Sequence, residues 1–395
     1  MKQTVKDFLD RHSIDPAMFN VDEISALIIK EMEKGLKGEK SSLKMINSYC
    51  NPSDRIVKNE NILVIDAGGT NFRTCIVHFT EEGQPVIEDF KKSRMPGSDG
   101  EVSSEDFFRI IADETQRLIH KADKIGFCFS YPAQILPDHD GIPLLLSKEI
   151  KASQVLGKHL GKELLAEFSR RNIDVSKKKI IILNDTVTTL LAGLSKTEEL
   201  ECEGCVGFIL GTGTNTAYME KGTIINEESG GFEYAPGDID RSFISGTANP
   251  NVQFFEKLIS GVYLGPLALE ILKVAKAENV ICADIPASFT TKDLGDTLDA
   301  QNLNPDVMDI LNAYIERVAV FAAANLCASV IKSGYGKNKP CLINADGTTF
   351  YKTGKLDRLT VQYTEKTLAL HGLKARFVNI DNSPVIGSAI GALSL

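Results

Sequence analysis

Tryptophan is absent from this chain of 395 residues, and several signatures that would have named a function are missing too. No G-x-x-x-x-G-K-[ST] occurs, and no G-x-G-x-x-G, so neither a P-loop nor a Rossmann dinucleotide site is supported. The longest apolar run, near Val318 to Ile331, covers roughly fourteen residues against the ~20 that span a bilayer. The N-terminal MKQTVKDFLDRH is polar and amphipathic, with no signal-peptide core, so the expected setting is the cytoplasm. Positive charge is in deficit: the net charge is -9 and the isoelectric point about 5.4. That argues against a general nucleic-acid or membrane-surface binder, though not against an anionic ligand held by local donors. Cysteine shows no metal-site or disulfide framework. One C-x-x-C, Cys202 and Cys205, has no second pair beside it. It reads as redox-active, as half a zinc site or as two free thiols in a loop, the last being preferred.

What is present is an ordinary globular composition, 43% hydrophobic and 25% charged, at a length that suggests two domains. Two glycine-threonine turns stand out, each at the end of an apolar run. The first lies in Ile62-Leu-Val-Ile-Asp-Ala-Gly-Gly-Thr-Asn-Phe-Arg73, the second in Val206-Gly-Phe-Ile-Leu-Gly-Thr-Gly-Thr-Asn-Thr-Ala-Tyr218. Each reads as strand, tight turn, strand. Glycines let a backbone approach an anion, and Thr and Asn add donors. Either turn alone is an ordinary hairpin. The pair, with Asp66 before the first, points to a gripped polyphosphate.

Around these turns the patterning alternates. Thr4 to Lys37 reads as helix and 38–60 as a polar connector. Strands follow over 62–79 and Val86 to Phe90, then a helix over Glu105 to His120, started by Ser103 and Ser104. Lys124 to Ser130 is a strand, Gln154 to Asn172 a helix, Lys179 to Leu183 a strand and Thr186 to Leu194 a helix. That order is one α/β domain with a mixed sheet. From Val206 the pattern resumes, with helices near Val252–Tyr263, Leu267–Ala277 and Met308–Lys332. A strand over Pro340–Ala345, a helix over Leu356–His371, a strand over Lys374–Val378 and a helix over Pro384–Leu395 complete it. The glycine turn recurs after roughly 145 residues, far beyond solenoid periods, as in a duplicated domain with a cleft between the halves.

Asn184-Asp185-Thr186 sits at a strand-to-helix junction. Asp185 is either a helix cap or a functional carboxylate at a strand end, where α/β sites collect. Phosphoryl transfer needs a carboxylate for the acceptor hydroxyl's proton, phosphate-gripping donors and a metal. Asp185 suits the first role and the turns the second. Asp66 suits an acid near the metal, acting through water, unless it only bonds its own turn. Ser130, Ser147, Lys148, Asn184, Asn215, Glu228 and Glu256 are polar groups suited to reading a polyol, whose buried hydroxyls must all be paired. Each also has a capping or surface reading, and Glu256 reads equally as an exposed helix charge.

With these residues in view the chain resembles the eukaryotic-type hexokinases and glucokinases of the actin-like sugar kinase superfamily. The likeness runs from Glu31-Met-Glu-Lys-Gly-Leu36 nearly to the end. Asp66-Ala-Gly-Gly-Thr-Asn-Phe-Arg73 and Gly211-Thr-Gly-Thr-Asn215 look like the two phosphate loops. Phe129-Ser-Tyr-Pro132 looks like the sugar-binding turn, and Leu183-Asn-Asp-Thr-Val-Thr-Thr-Leu190 like the segment with the catalytic Asp. Glu228-Ser-Gly-Gly-Phe232 and the stretch from Ala248 to Gly265 resemble the segments with the sugar-binding glutamates. Asp346-Gly-Thr-Thr-Phe-Tyr351 is similar to the adenosine loop.

The resemblance implies an α/β fold of two actin-like (ribonuclease H-like) lobes with mixed sheets flanking a central cleft. It implies residues 1–61 as N-terminal helix and connector on the large lobe, 62–184 as small lobe, 185–382 as large lobe and 383–395 as a helix returning toward the small lobe. It implies ATP-dependent transfer to the 6-hydroxyl of a hexose, the first step of glycolysis. Asp185 would be the general base, and Lys148 would orient the sugar and stabilise the phosphoryl group. Ser130, Ser147, Asn184, Asn215, Glu228 and Glu256 would bind the sugar. Asp66, Gly68, Gly69, Thr70, Asn71, Arg73, Gly211, Thr212, Gly213, Gly347 and Thr348 would serve ATP. Mg2+ would sit on the phosphates near Asp66 with no direct protein ligand. The partners implied are hexose and ATP, without nucleic acid or membrane, for a monomer or homodimer.

The chain departs from the family at Leu145-Leu-Ser-Lys148, where Asn-Trp-Thr-Lys is usual, and at Ser229, where Trp is usual. Leu264-Gly265-Pro266 lacks the usual acid, and Ser383-Pro-Val-Ile-Gly-Ser-Ala389 is altered. The departures around Ser147 and Ser229 motivate one alternative, a kinase for another sugar or amino sugar. A second is a catalytically weak hexose sensor, whose cue would be loss of the base or a phosphate loop, whereas Asp185, Lys148 and both loops are present.

Overall fold

The computed structural model describes residues 1–52, 57–69, 71–146 and 150–395. Thr70, Ser147 and Lys148, three of the residues singled out above, lie outside the described residues.

The N-terminal segment forms two helices rather than the one expected. α1 (Gln3–Arg11) and α2 (Val21–Leu36) are parted by a 3-10 turn at Pro16–Met18. Pro16 has no N–H to continue a helix, and Ser13 sits at a φ of 55°. Asn20 restarts the helix by accepting from Asp22 N at 2.9 Å. The chain continues through β1 (Ile46–Asn47), β2 (Ile62–Gly68), β3 (Asn71–Phe79) and β4 (Pro85–Arg94). Next, α3 (Ser104–Thr115) is capped by Ser103 Oγ, which accepts from Asp106 N at 3.0 Å. It stops short of the expected His120, where a separate 3-10 turn covers Ile119–Lys121. After it come β5 (Lys124–Phe129), the hairpin β6 (Ala133–Ile135) and β7 (Gly141–Pro143), α4 (Leu160–Arg170), β8 (Lys179–Leu183) and α5 (Asp185–Leu194).

The second half holds β9 (Cys205–Leu210), β10 (Thr214–Glu220), β11 (Thr223–Asn226), α6 (Asp238–Ser245), α7 (Phe254–Ile259) and α8 (Leu264–Ala277). Then follow α9 (Thr291–Ala300), α10 (Pro305–Ser333), β12 (Cys341–Asp346), α11 (Thr348–Lys352), α12 (Leu356–Leu370), β13 (Ala375–Val378) and α13 (Ser383–Leu393). The helix expected over Val252–Tyr263 is the shorter α7, because the chain opens at Gly261 to bond the second glycine turn: Gly261 N donates to Gly211 O at 2.8 Å.

Two compact units emerge. One comprises Met1–Met45, Glu201–Thr216 and Glu227–Asn379, the other Ile46–Leu200, Ala217–Asn226 and Ile380–Leu395. The bounds expected after residues 61, 184 and 382 differ from these. Helix α5 continues directly from β8 and packs on α13, so the second unit runs on to Leu200.

In the second unit the sheet order is β4-β3-β2-β5-β8. β2, β5 and β8 run parallel while β3 and β4 are antiparallel, giving a mixed sheet. The parallel strands are covered on both faces, hence their nearly unbroken apolar runs. Ile125, Phe127 and Phe129 pack with Phe107 and Ile111 of α3 and Leu164 of α4. On the other face α13 lies so close that a Cβ on Gly126 would be 2.1 Å from Ser388 O. A Cβ on Gly387 of α13 would likewise be 1.9 Å from Thr188 O of α5, so only glycine allows this packing.

In the first unit β12 lies between β9 and β13, all parallel. α10, 29 residues, is the one helix among the described residues long and apolar enough to cross a membrane. Its apolar stretch is 89% buried, the placing of a core helix. Cys202 and Cys205 are buried and outside any disulfide, before and at the start of β9.

Candidate active site

In the second unit the site is built at the carboxyl ends of three neighbouring parallel strands. Ala67 pairs with Phe129 and Cys128 with Leu183, so β2, β5 and β8 end level. That register brings Gly68 and Gly69, Ser130, and Asn184 and Asp185 to one edge of the sheet. Ser130 N donates to Ala67 O at 3.0 Å, and Tyr131 Oη donates to Gly69 O. The Ser130 hydroxyl reaches the turn itself, 3.0 Å from where a Gly68 Cβ would stand.

Asp66 and Arg73 are cross-strand partners on β2 and β3. Arg73 Nη1 donates to Asp66 Oδ2 at 2.7 Å. Asp66 is therefore a strand residue in an ion pair, not a turn residue bonded to its own backbone. Burial pushes its carboxyl above the ordinary value, with Arg73 acting against that rise. Asp66 Oδ1 stands 3.6 Å from the Gly68 Cβ position, on the side of the turn. Asn71 opens β3 opposite Gly68.

Beyond β8, Asn184 is the N-cap of α5, its Oδ1 accepting from Thr186 N at 2.9 Å. Asp185 is the first helical residue, and its Oδ1 accepts from the same N–H at 2.8 Å. The Thr188 and Thr189 hydroxyls donate to Asp185 O at 2.7 and 2.9 Å, fixing the backbone that carries this carboxylate. Asn184 holds the N-cap position and shares the Thr186 N–H with the half-buried Asp185, which projects from a helix start, where negative charge is favoured.

In the first unit the second turn closes through Gly211 N donating to Gly213 O at 2.9 Å. Three segments meet there. Val262 N donates to Thr212 O at 3.2 Å, and Thr349 Oγ1 donates to Gly211 O at 2.9 Å. Gly347, at a φ of 121°, lies so near that a Cβ would be 2.2 Å from Leu210 O. β9 and β12 are parallel with Ile209 opposite Asp346, so both loops leave the same end of the sheet. Thr212 and Thr348 are exposed there.

Beside this turn stand three of the polyol-reading residues. Glu256 Oε2 accepts from Thr214 N at 3.3 Å. Its carboxyl is pushed up by burial and further by the charge of Glu228. Glu256 is half-buried in this contact rather than an exposed helix charge. Glu228 holds a left-handed conformation, φ 55° and ψ 48°, uncommon for a non-glycine residue and a mark of local constraint. Asn215 Oδ1 accepts from Thr216 N at 2.8 Å and from Ser229 N at 3.2 Å, tying the Glu228 loop to β10.

Sequence reasoning missed two features of this unit. A cavity of about 340 Å³ adjoins the second turn, lined by Gly261, Val262, Pro266, Leu269, Phe289 and Thr290 among others. The Thr290–Asp293 capping box starts α9, a helix absent from the expected elements, and nothing local shows that the residues before it return to the turn. The second is Glu227, a fully buried carboxyl next to Glu228; its only sequence signal is an acid at the end of an apolar strand.

Two family models, both described as hexokinase, match residues 4–194 and 205–309. Human hexokinase-3 is 33% identical over 291 residues, 66% of this chain and 30% of that protein. Hexokinase-1 of Oryza sativa subsp. japonica is 26% identical over an alignment of 437 residues, 94% of this chain and 86% of its relative. The chain spans 30%, 39% and 38% of the length of three mammalian relatives it matches. The structure of hexokinase from Schistosoma mansoni complexed with glucose aligns with a TM-score of 0.76 at 24% identity, over 100% of this chain and 99% of that one. These likenesses show the fold: α/β with mixed sheets, in the two-lobed actin-like class.

Proposed function

Because this chain belongs to the hexokinase family, we propose that it transfers the γ-phosphoryl group of ATP to the 6-hydroxyl of glucose, mannose or fructose. The observation that carries this reading is the level ending of β2, β5 and β8, which sets Asp185 on one edge with Ser130 and the Gly68-Gly69 turn. A carboxylate, a hydroxyl and a glycine turn on neighbouring strand ends are the parts a phosphoryl transfer to an alcohol needs.

Asp185 takes the proton of the 6-hydroxyl. As it does so, the sugar oxygen bonds to the γ-phosphorus and the bond from that phosphorus to the ADP oxygen breaks. Lys148 orients the sugar and offsets the charge of the moving phosphoryl group. Ser130, Ser147, Asn184, Asn215, Glu228 and Glu256 pair the sugar hydroxyls, each of which needs a partner once buried. Gly68, Gly69, Thr70, Asn71, Gly211, Thr212 and Gly213 offer backbone and hydroxyl donors to the phosphates. The base sits in the cavity beside Gly261 and Phe289, and Gly347 and Thr348 serve ATP from the loop that leaves the same end of the sheet as the second turn. Asp66 suits a magnesium ion held through water: one oxygen is committed to Arg73, and the other lies on the side of the turn. When bound, that ion neutralises the phosphate charge.

A coupled ADP-release assay with Mg-ATP and a panel of glucose, mannose, fructose, glucosamine and N-acetylated sugars tests this. Turnover on one of the first three supports it. Turnover only on an amino sugar moves the acceptor, and sugar binding without turnover replaces the kinase with a sensor.

A further inference from the structure

Glu227 is 0% exposed, at the end of β11 and directly before Glu228. Its Oε1 lies 2.6 Å from Ser329 Oγ on α10. Its Oε2 is buried with no hydrogen-bond partner, and no cation pairs with it among the described residues. A buried carboxylate in that setting is very costly; a neutral acid is not.

Proton counting leads to the same state. Ser329 Oγ also lies 3.0 Å from Asn325 O. A serine hydroxyl has one hydrogen, and a backbone carbonyl only accepts. Both contacts are hydrogen bonds when Ser329 donates to Asn325 O and Glu227 donates its own proton to Ser329 Oγ.

The residues on both sides of Glu228 belong to one buried network. Glu227 N donates to Thr216 O at 3.0 Å. Ser229 Oγ and Thr216 Oγ1 are 3.2 Å apart, and Asn325 Nδ2 donates to that same threonine oxygen. Thus α10, the core helix, and β10 together hold the loop that keeps Glu228 in its left-handed conformation.

We propose that Glu227 is a positioning residue of the acceptor site: as a neutral acid it ties the Glu228 loop to α10, and loss of its proton releases that loop and weakens hexose binding. This rests on the reading of Glu228 as a sugar ligand. Burial pushes the Glu227 carboxyl up to about 8. The groups bonded to it are Ser329 from α10, Thr216 from β10, and Met45 N, which donates to Glu227 O at 3.4 Å. None of these titrates. The next acid in the chain is Glu228, whose charge Glu256 feels.

The test is glucose binding by calorimetry from about pH 6.5 to about pH 9.5, for the wild type, Glu227→Gln and Ser329→Ala. Wild-type affinity should hold to about pH 8 and then fall roughly tenfold per pH unit. Glu227→Gln keeps a donor but cannot titrate, so its affinity should stay flat. Ser329→Ala removes the oxygen that accepts the proton of the neutral acid, so its alkaline fall should begin at lower pH. The same fall in Glu227→Gln, an unmoved fall in Ser329→Ala, or no fall in the wild type overturns the proposal. Ser329→Ala decides if Glu227→Gln does not fold. Absence of glucose, mannose and fructose binding at every pH would instead sink the acceptor-site reading, and this inference with it.

Discussion

Gly213 and Glu256 are in contact. A Cβ on the glycine would lie 2.6 Å from Glu256 Oε2, the oxygen that accepts from Thr214 N. The residue that shapes the second turn therefore also sets the resting place of a carboxylate assigned to the sugar. On the function proposed above, the phosphate turn and a sugar-binding carboxylate then touch within one unit, so a change at the turn should be felt in hexose binding.

Gly213→Ala should displace the Glu256 carboxylate, whose side-chain end can swing aside. The hexose KM should rise about tenfold, the loss of one hydrogen bond to a charged group. Thermal stability should change little. Steady-state kinetics at saturating ATP, with melting curves alongside, read both. An unchanged hexose KM would remove Glu256 from the sugar site.

Asp185→Asn separates catalysis from capping. The amide oxygen still accepts from Thr186 N, so the start of α5 keeps its bonds and stability should hold. An amide cannot take a proton, so kcat should fall by about 10²–10⁴, with hexose affinity largely kept. Near-normal turnover would show that Asp185 only supports the helix start.

What local sequence chemistry controls was legible. β8 falls on the expected residues and α5 begins one residue early, because an apolar strand runs straight into an Asn cap. α10 lies within a few residues of its expected span. Features set by distant contacts were not legible. The break of the first helix is the exception, a local effect of Pro16 masked by apolar periodicity on either side. α6 follows an N-cap at Gly237, whose N–H bonds the Asp240 side chain, with no Ser or Thr cap to announce it. Of the candidate site, each strand-end residue could be read singly from its motif. The cavity wall from 287–291 and the buried acid Glu227 exist only once the chain has folded back on itself.

Arg73→Ala leaves the buried Asp66 carboxyl without its cation. Burial already holds that carboxyl above its ordinary value of 3.8, and losing Arg73 raises it further. The folded variant then keeps a proton that the unfolded chain releases. Its stability deficit should be absent below the unfolded value and reach its full size as pH rises through the folded one. At neutral pH the deficit should be about 1–3 kcal/mol. Melting curves for wild type and variant near about pH 4 and about pH 7 test the sign. An equal deficit at both would mean that Arg73 stabilises by packing rather than by pairing with Asp66.

Phe289→Ala tests where the nucleotide base lies. Phe289 forms an apolar wall of the cavity beside Gly261 and Val262, and Val262 N is bonded to Thr212 O of the second turn. A base stacked in that cavity is held by apolar contact with this ring, so truncation should cost about 1–2 kcal/mol of binding. The KM for ATP should rise about five- to thirtyfold, while hexose affinity, measured without nucleotide, should stay as it was. Glu256 and Glu228 do not line the cavity, so the two effects are separable. An ATP KM that does not move would place the base elsewhere on the unit, and a parallel loss of hexose affinity would mean that the substitution had disturbed the turn itself.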